Sequence, residues 1–202
     1  MSKRGKLAFF DVDTQRDFMA PAGALYVPGA RTVARNIRRL VAHAGAKRIR
    51  LFSTTDAHAP DDPEFADFPL HCVAGTWGQE KIPGTLLRDR MAVREAPKLS
   101  KRAIAEVLRH DQVILESATY SVFTNPNVVP VLRASGCTRF VVFGVATDYC
   151  VRAAALGLLG MRCAVTLVTD AIRGITPEGT AAALDEMRRA GARFKTTDQL
   201  VR

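Results

Sequence analysis

The sequence predicts an α/β fold in three layers, with a mostly parallel sheet held between helices. Short runs rich in β-branched, aromatic and aliphatic residues alternate with segments of helical apolar period along the chain. Strands joined by helices in this way pair in parallel and are covered on both faces. In addition, Asp13, Asp56, Ser117 and Cys150 fall at or just beyond the carboxyl ends of the strand runs. Parallel sheets bind their ligands there.

Residues 7–10 read as the first strand, ending at the acidic Asp11-Val-Asp13, and a Pro- and Gly-rich loop follows to about Gly29. An amphipathic helix then runs to Ala44, with Val33, Ile37, Leu40, Val41 and Ala44 on its apolar face and the arginines on the wet one. Residues 48–54 make a second strand. Residues 55–84 carry repeated Pro, Gly and Asp with little periodicity, and a loop of that length in one domain is usually functional. Residues 98–110 read as a helix, 112–116 as a strand, 127–135 as a helix and 139–143 as a strand. Residues 151–161 read as a helix with Thr147 or Asp148 as its N-cap, and 162–169 as another strand. A helix over 177–190 with Pro in its first turn and an edge strand over 194–196 complete the count at about six strands.

The 202 residues suit a single domain spanning 1–202. With 48% hydrophobic and 24% charged residues and no repeat, the composition is that of an ordinary globular enzyme. The net charge of +9 is scattered over separate short clusters, and no nucleic-acid module accompanies it. A solvated basic surface with weak attraction for anions is the expectation, with no nucleic acid partner. No segment reaches the apolar length of a membrane span, and Asp11 interrupts the stretch that follows the basic Met1 to Lys6, against a signal peptide. Cys72, Cys137, Cys150 and Cys163 have no paired spacing, so reduced thiols in the cytoplasm are the default. No dinucleotide or triphosphate loop is present. The apolar helix face from Val151 to Leu159 could pack within the domain or against another subunit of a homo-oligomer.

Cys150 ends the run Phe140-Val-Val-Phe-Gly-Val-Ala-Thr-Asp-Tyr-Cys150. In the first turn of a helix, unpaired amides and the helix dipole would favour its thiolate, the form that attacks carbonyls. A small buried hydrophobe is the other reading, and this segment alone weighs them equally. Asp13, at the mouth of a buried strand, could take a proton from a thiol and pass it to a leaving amine, or it could cap a turn, as Asp17 does. Asp56 and His58 are two apart at a strand end and so point the same way. Glu64 and His71 could close a set of two imidazoles and two carboxylates, a mix suited to Zn, Mn or Fe at a partly open site. Surface charge on a polar loop is the alternative, and spacing alone favours it.

Three groups of residues together resemble a known family: Asp13-Thr-Gln15-Arg-Asp17-Phe18; Asp56-x-His58 with His71-Cys-Val73-x-Gly75-Thr76; and Gly144-Val-Ala146-Thr-Asp148-Tyr-Cys150-Val151. They resemble the isochorismatase-like cysteine hydrolases, and within these the nicotinamidases, in order through nearly the whole chain. The resemblance implies a doubly wound, six-stranded parallel sheet, a nucleophile at Cys150, an acid/base at Asp13 and a divalent metal on Asp56, His58, Glu64 and His71. It further implies a cis peptide between Val145 and Ala146, with the amides of Ala146 and Cys150 facing the developing oxyanion. Phe18, Phe68 and Tyr120 fall where relatives place aromatic walls around the substrate ring. The expected substrate is a small amide, nicotinamide first.

One position departs from the family. Its catalytic lysine, four residues before the Ser of Tyr120-Ser121-Val-Phe123, is Ser117 here. A cation near a thiol lowers its pKa by roughly 1–3 units, and serine supplies none. Lys98 and Lys101 are candidate replacements, although both fall on a predicted helix away from the strand ends. Two rival readings follow: another small-amide or ureido hydrolase of the same fold, or a weakened hydrolase that serves as a ligand-binding module. Ureido-type relatives generally lack the four-ligand set, so bound metal would favour the nicotinamidase reading. Isochorismate ether hydrolysis is disfavoured, because that branch has no cysteine at this place.

Overall fold

The computed structural model describes residues 5–201 as seven parallel strands with six α-helices. In chain order these are β1 (Lys6–Val12), α1 (Arg16–Met19), α2 (Ala30–Ala46), β2 (Arg50–Asp56), β3 (Arg90–Val93), α3 (Lys101–Val107) and β4 (Gln112–Ser117). There follow α4 (Val128–Ala134), β5 (Cys137–Val145), α5 (Arg152–Gly160), β6 (Ala164–Arg173), α6 (Pro177–Arg189) and β7 (Arg193–Lys195). The sheet order is β3-β4-β2-β1-β5-β6-β7, and every pairing is parallel. From β1 the chain moves through β2 to the edge strand β3, steps back to β4, and then returns to β5 on the other side of β1. The boundary between β1 and β5 is therefore the switch point of a doubly wound sheet, where a crevice opens beyond the strand ends.

The predicted α/β class and three-layer arrangement hold, with one strand more than expected. The addition is β3, an edge strand whose first three residues are exposed, so it lacks the apolar pattern that marks buried strands. The start of β2 also differs. Arg48 stands at φ 51 in the turn after α2, and the strand begins two residues later and runs on to Asp56.

The central strands are buried on both faces, and Phe9, Phe10, Phe52, Phe140 and Phe143 are fully buried. Register sets Phe10 beside Phe52, and Phe10 meets Phe140 edge-on with centroids 6.1 Å apart. Helix α2 buries the predicted Val33, Ile37, Leu40, Val41 and Ala44 and leaves Arg31 and Arg35 in water. Its crossover runs opposite in direction to those of α4, α5 and α6, and right-handed connections place the two sets on opposite faces. Helix α5 buries Ala154, Ala155 and Leu158 against its own domain. Among the described residues no helix is long and apolar enough to cross a membrane. The expectation for the basic start of the chain falls partly on residues 1–4, outside the described residues.

Candidate active site

Asp13 leaves the end of β1 at φ 43, a left-handed conformation that is uncommon for a non-glycine residue. Its side chain is held from β2: Thr54 Oγ1 accepts from the Asp13 amide at 3.1 Å and donates to Asp13 Oδ1. From the neighbouring strand, β5, the chain passes a cis Val145–Ala146 peptide into a π-type turn, Thr147–Val151, which carries Cys150. The Cys150 thiol and the Asp13 carboxylate are buried close enough there for each to shift the other's ionisation. Two residues 137 positions apart in sequence thus meet at the switch point.

The electrostatics of Cys150 correct the expectation drawn from a helix terminus. Helix α5 starts only at Arg152, and neither Thr147 nor Asp148 caps it. Asp148 instead accepts from the amides of Ile175 and Thr176, tying the turn to the start of α6. Burial pushes the Cys150 thiol well above its ordinary pKa, and the carboxylates of Asp13 and Asp56 push the same way; the Ala146 amide opposes them. Burial also raises Asp13, against its bonds to Thr54 and Cys150 and the charge of Lys81. At rest the sulfur is a thiol, poised to lose its proton to Asp13 rather than already ionised.

Asp56 ends β2, and the loop 55–84 folds back over it. Gln15 clamps the strand end: its amide nitrogen donates to Asp56 O at 2.8 Å and its oxygen accepts from Asp56 N at 2.7 Å. Asp17 caps the loop as expected, Oδ2 accepting from Cys72 N at 2.7 Å and Oδ1 from Ala24 N at 3.0 Å. A bridge between His58 and Val73 completes the fold-back. Ligating atoms of Asp56, His58 and His71 consequently lie within 4.8 Å of one another, all three residues buried.

This donor set fits a divalent metal. His71 Nδ1 donates to Pro69 O at 2.7 Å, which leaves the Nε2 lone pair facing Asp56 Oδ2 at 3.9 Å. Burial lowers His71, which favours the neutral, ligating imidazole. His58 Nε2 faces the same oxygen at 3.8 Å without a hydrogen-bond partner. Its Nδ1 lies 3.1 Å from Asp62 Oδ2, close but not aligned as a hydrogen bond. Burial works against the His58 imidazolium, yet Asp56 and Asp62 outweigh it and push the ring up to about 9. Burial and the charge of Asp13 push Asp56 up to about 8. Without a metal the cluster draws protons into the place a cation would take. Glu64, on a short 3-10 turn (Pro63–Ala66), groups with His58 and Asp62 rather than with the full triad.

A pocket beside Cys150 and Ala146 is lined by the predicted Phe18, Phe68 and Tyr120 and by Asp56, Glu64 and His71. Leu25, Val27, Tyr149 and Ile175 also line it; sequence reading gave them no role, since Leu25, Val27 and Ile175 are unremarkable apolar residues in loops and Tyr149 was read only as part of the motif around Cys150. Phe65, also passed over, packs on both imidazoles, with centroids 5.3 Å from His58 and 5.7 Å from His71.

Ser117 is not brought into this pocket. It ends β4 in register with Asp56, but its hydroxyl donates to Thr119 O at 2.9 Å, and its residue lines a separate recess with Glu116 and Arg94. Lys98 and Lys101, the candidate replacement cations, are both exposed. The buried cation near the site is Lys81, which no periodic pattern in the loop marks out.

The chain matches the isochorismatase domain over residues 8–199. It is 32% identical to a nicotinamidase/pyrazinamidase of Mycobacterium tuberculosis, covering 91% of this chain and 95% of that one. A zinc complex of the pyrazinamidase of Pyrococcus horikoshii superposes with a TM-score of 0.77 at 31% identity, over 95% of this chain and 99% of that one. A probable inactive nicotinamidase of Arabidopsis thaliana is 23% identical, over 94% of this chain and 91% of that one.

Proposed function

The chain belongs to the isochorismatase domain family and is a hydrolase acting on C–N amide bonds, and we propose that it cleaves nicotinamide or a close aromatic carboxamide to the acid and ammonia. The observation that carries the reading is the buried thiol of Cys150 beside Asp13, at a pocket that Asp56 and His71 of the Asp56, His58 and His71 cluster also line. The named relatives support the substrate class.

The chemistry follows from the placement. The aromatic ring lies between Phe18, Phe68 and Tyr120, with the carboxamide toward Cys150. Asp13 takes the thiol proton as sulfur attacks the carbonyl carbon, and the amides of Ala146 and Cys150 hold the oxyanion. Asp13 then gives the proton to the leaving nitrogen, so ammonia departs and a thioester remains. Water, with Asp13 as base, adds to the thioester; the acid leaves and the thiol is restored. Asp56, His58 and His71, with Glu64 nearby, would hold a divalent metal, Zn by the likeness to the zinc-bound relative, which when bound supplies a Lewis acid for orienting the ring nitrogen or water. Free cysteines throughout the described residues fit a reducing, cytoplasmic setting.

Ammonia release from nicotinamide and pyrazinamide tests the proposal: it should vanish in Cys150→Ala, and equal activity in that variant would overturn it. Ser117 favours a second reading, binding without turnover, because the position brings no charge to the thiol. That reading predicts nicotinamide binding by calorimetry with no ammonia, even after Ser117→Lys.

A further inference from the structure

His58 is fully buried, and neither of its ring nitrogens has a hydrogen-bond partner among the described residues. Nε2 faces the cluster, 3.8 Å from Asp56 Oδ2, and across the ring Asp62 Oδ2 stands 3.1 Å from Nδ1. That oxygen is held in place. Asp62 Oδ1 caps the short turn over Pro63–Ala66 by accepting from Glu64 N at 2.9 Å, and the Asp62 carbonyl accepts from Phe65 N at 3.1 Å. The same turn sets the Phe65 ring against both imidazoles. Capping uses one oxygen, and Asn or Ser would supply it as well. The second oxygen and the charge, set against a buried imidazole, are left unexplained by the cap.

We propose that Asp62 is a positioning residue for the metal cluster: its carboxylate keeps the His58 ring proton on Nδ1 and so leaves the Nε2 lone pair free, toward Asp56 and His71, for a divalent cation. The inference rests on the metal reading of that cluster. An imidazole that ligates through Nε2 carries its one proton on Nδ1. A carboxylate beside Nδ1 attracts that proton and repels a lone pair in its place. The oxygen lies off the line of a ring N–H, so the preference is set by charge and needs no in-line hydrogen bond. His71 is fixed in the same sense by a neutral group, its Nδ1 donating to Pro69 O at 2.7 Å. The two imidazoles therefore differ: the charge behind His58 makes it the more basic ligand. Ligating atoms of His58, Asp62 and Glu64 also converge within 4.8 Å, which suggests a second cation as the rival use of Nδ1. A ring with a metal on each nitrogen must lose both protons, and that disfavours the rival.

The test is zinc affinity of the full chain at one fixed pH, measured with zinc alone by competition with a chromogenic chelator. Asp62→Asn keeps an oxygen on the Glu64 amide but turns an NH2 toward Nδ1, which favours the wrong tautomer, and should weaken zinc by about 100-fold. Asp62→Ser keeps the cap and places nothing at Nδ1, and should weaken it by about tenfold. In 15N NMR of the zinc-loaded parent, His58 should carry its proton on Nδ1 and the metal on Nε2. Parent-like affinity in Asp62→Asn would overturn the proposal, and so would a larger loss in Asp62→Ser than in Asp62→Asn, the mark of a damaged cap. A proton on Nε2 in the loaded parent, or two zinc ions per chain, would overturn it as well. A parent that binds no zinc removes the metal reading and this role together, whereas a parent that binds zinc no better than Asp62→Asn removes the role alone. No amide is present, so failure on nicotinamide is a separate result.

Discussion

The thiol of Cys150 and the carboxylate of Asp13 each resist ionisation, because both are buried, and each acts on the other's ionisation. A pair of this kind reacts by handing over a proton at the moment of attack. Asp13→Asn keeps a carbonyl oxygen for the Thr54 hydroxyl but cannot accept that proton. Ammonia release should fall by about 10²- to 10⁴-fold while far-UV circular dichroism stays as in the parent; a loss below about fivefold would contradict the role. Asp13 and Cys150 were legible in the sequence because each lies next to a buried strand. Thr54 and Lys81 were not. One reads as an ordinary strand residue and the other as a loop lysine; the pairing of β1 with β2 brings Thr54 to Asp13, and the return of loop 55–84 brings Lys81 to Thr54.

At the scale of elements, loop 55–84 is shaped by side chains outside it. Gln15 and Asp17 stand just past β1 and hold the end of β2 and the Cys72 amide. The sequence suggested a turn cap for Asp17, but its partner 55 residues away came only from the fold. Asp17→Ala removes the acceptor of two amides without touching a ligating atom. Zinc affinity should weaken by about 10- to 100-fold in calorimetry, the usual effect of losing an outer-shell support. Unchanged affinity would show that the loop holds its shape without Asp17. The edge strand β3 and the uncapped turn before α5 were misread for a related reason. An exposed edge needs no apolar pattern, and Asp148 spends its carboxylate on α6 instead of on its own turn.

For the whole molecule, the clearest consequence is a coupling between protons and metal. With no cation in the cluster, Asp56 and Asp62 push His58 up to about 9 against burial, and burial and Asp13 push Asp56 up to about 8. Both are raised, so the free site gains protons as pH falls through that range, and a bound metal must displace them. Apparent zinc affinity should therefore drop as pH falls below about 9, by up to about tenfold per pH unit for each proton displaced. Competition with a chelator across that range would measure it, and a pH-independent affinity would exclude protonated ligands. Zinc that binds only the folded chain should also raise the melting temperature, with about 2.7 kcal/mol gained at a hundredfold excess over Kd. By itself the sequence determined the α/β class, the parallel strands and the residues at their carboxyl ends, because apolar period and strand length are local properties of the chain. Only the tertiary structure decided which of those residues share a pocket, that Ser117 turns away toward Thr119, and that a buried lysine pairs with Asp11. Those outcomes depend on strand order and on the path of one long loop, and neither leaves a periodic trace in the sequence.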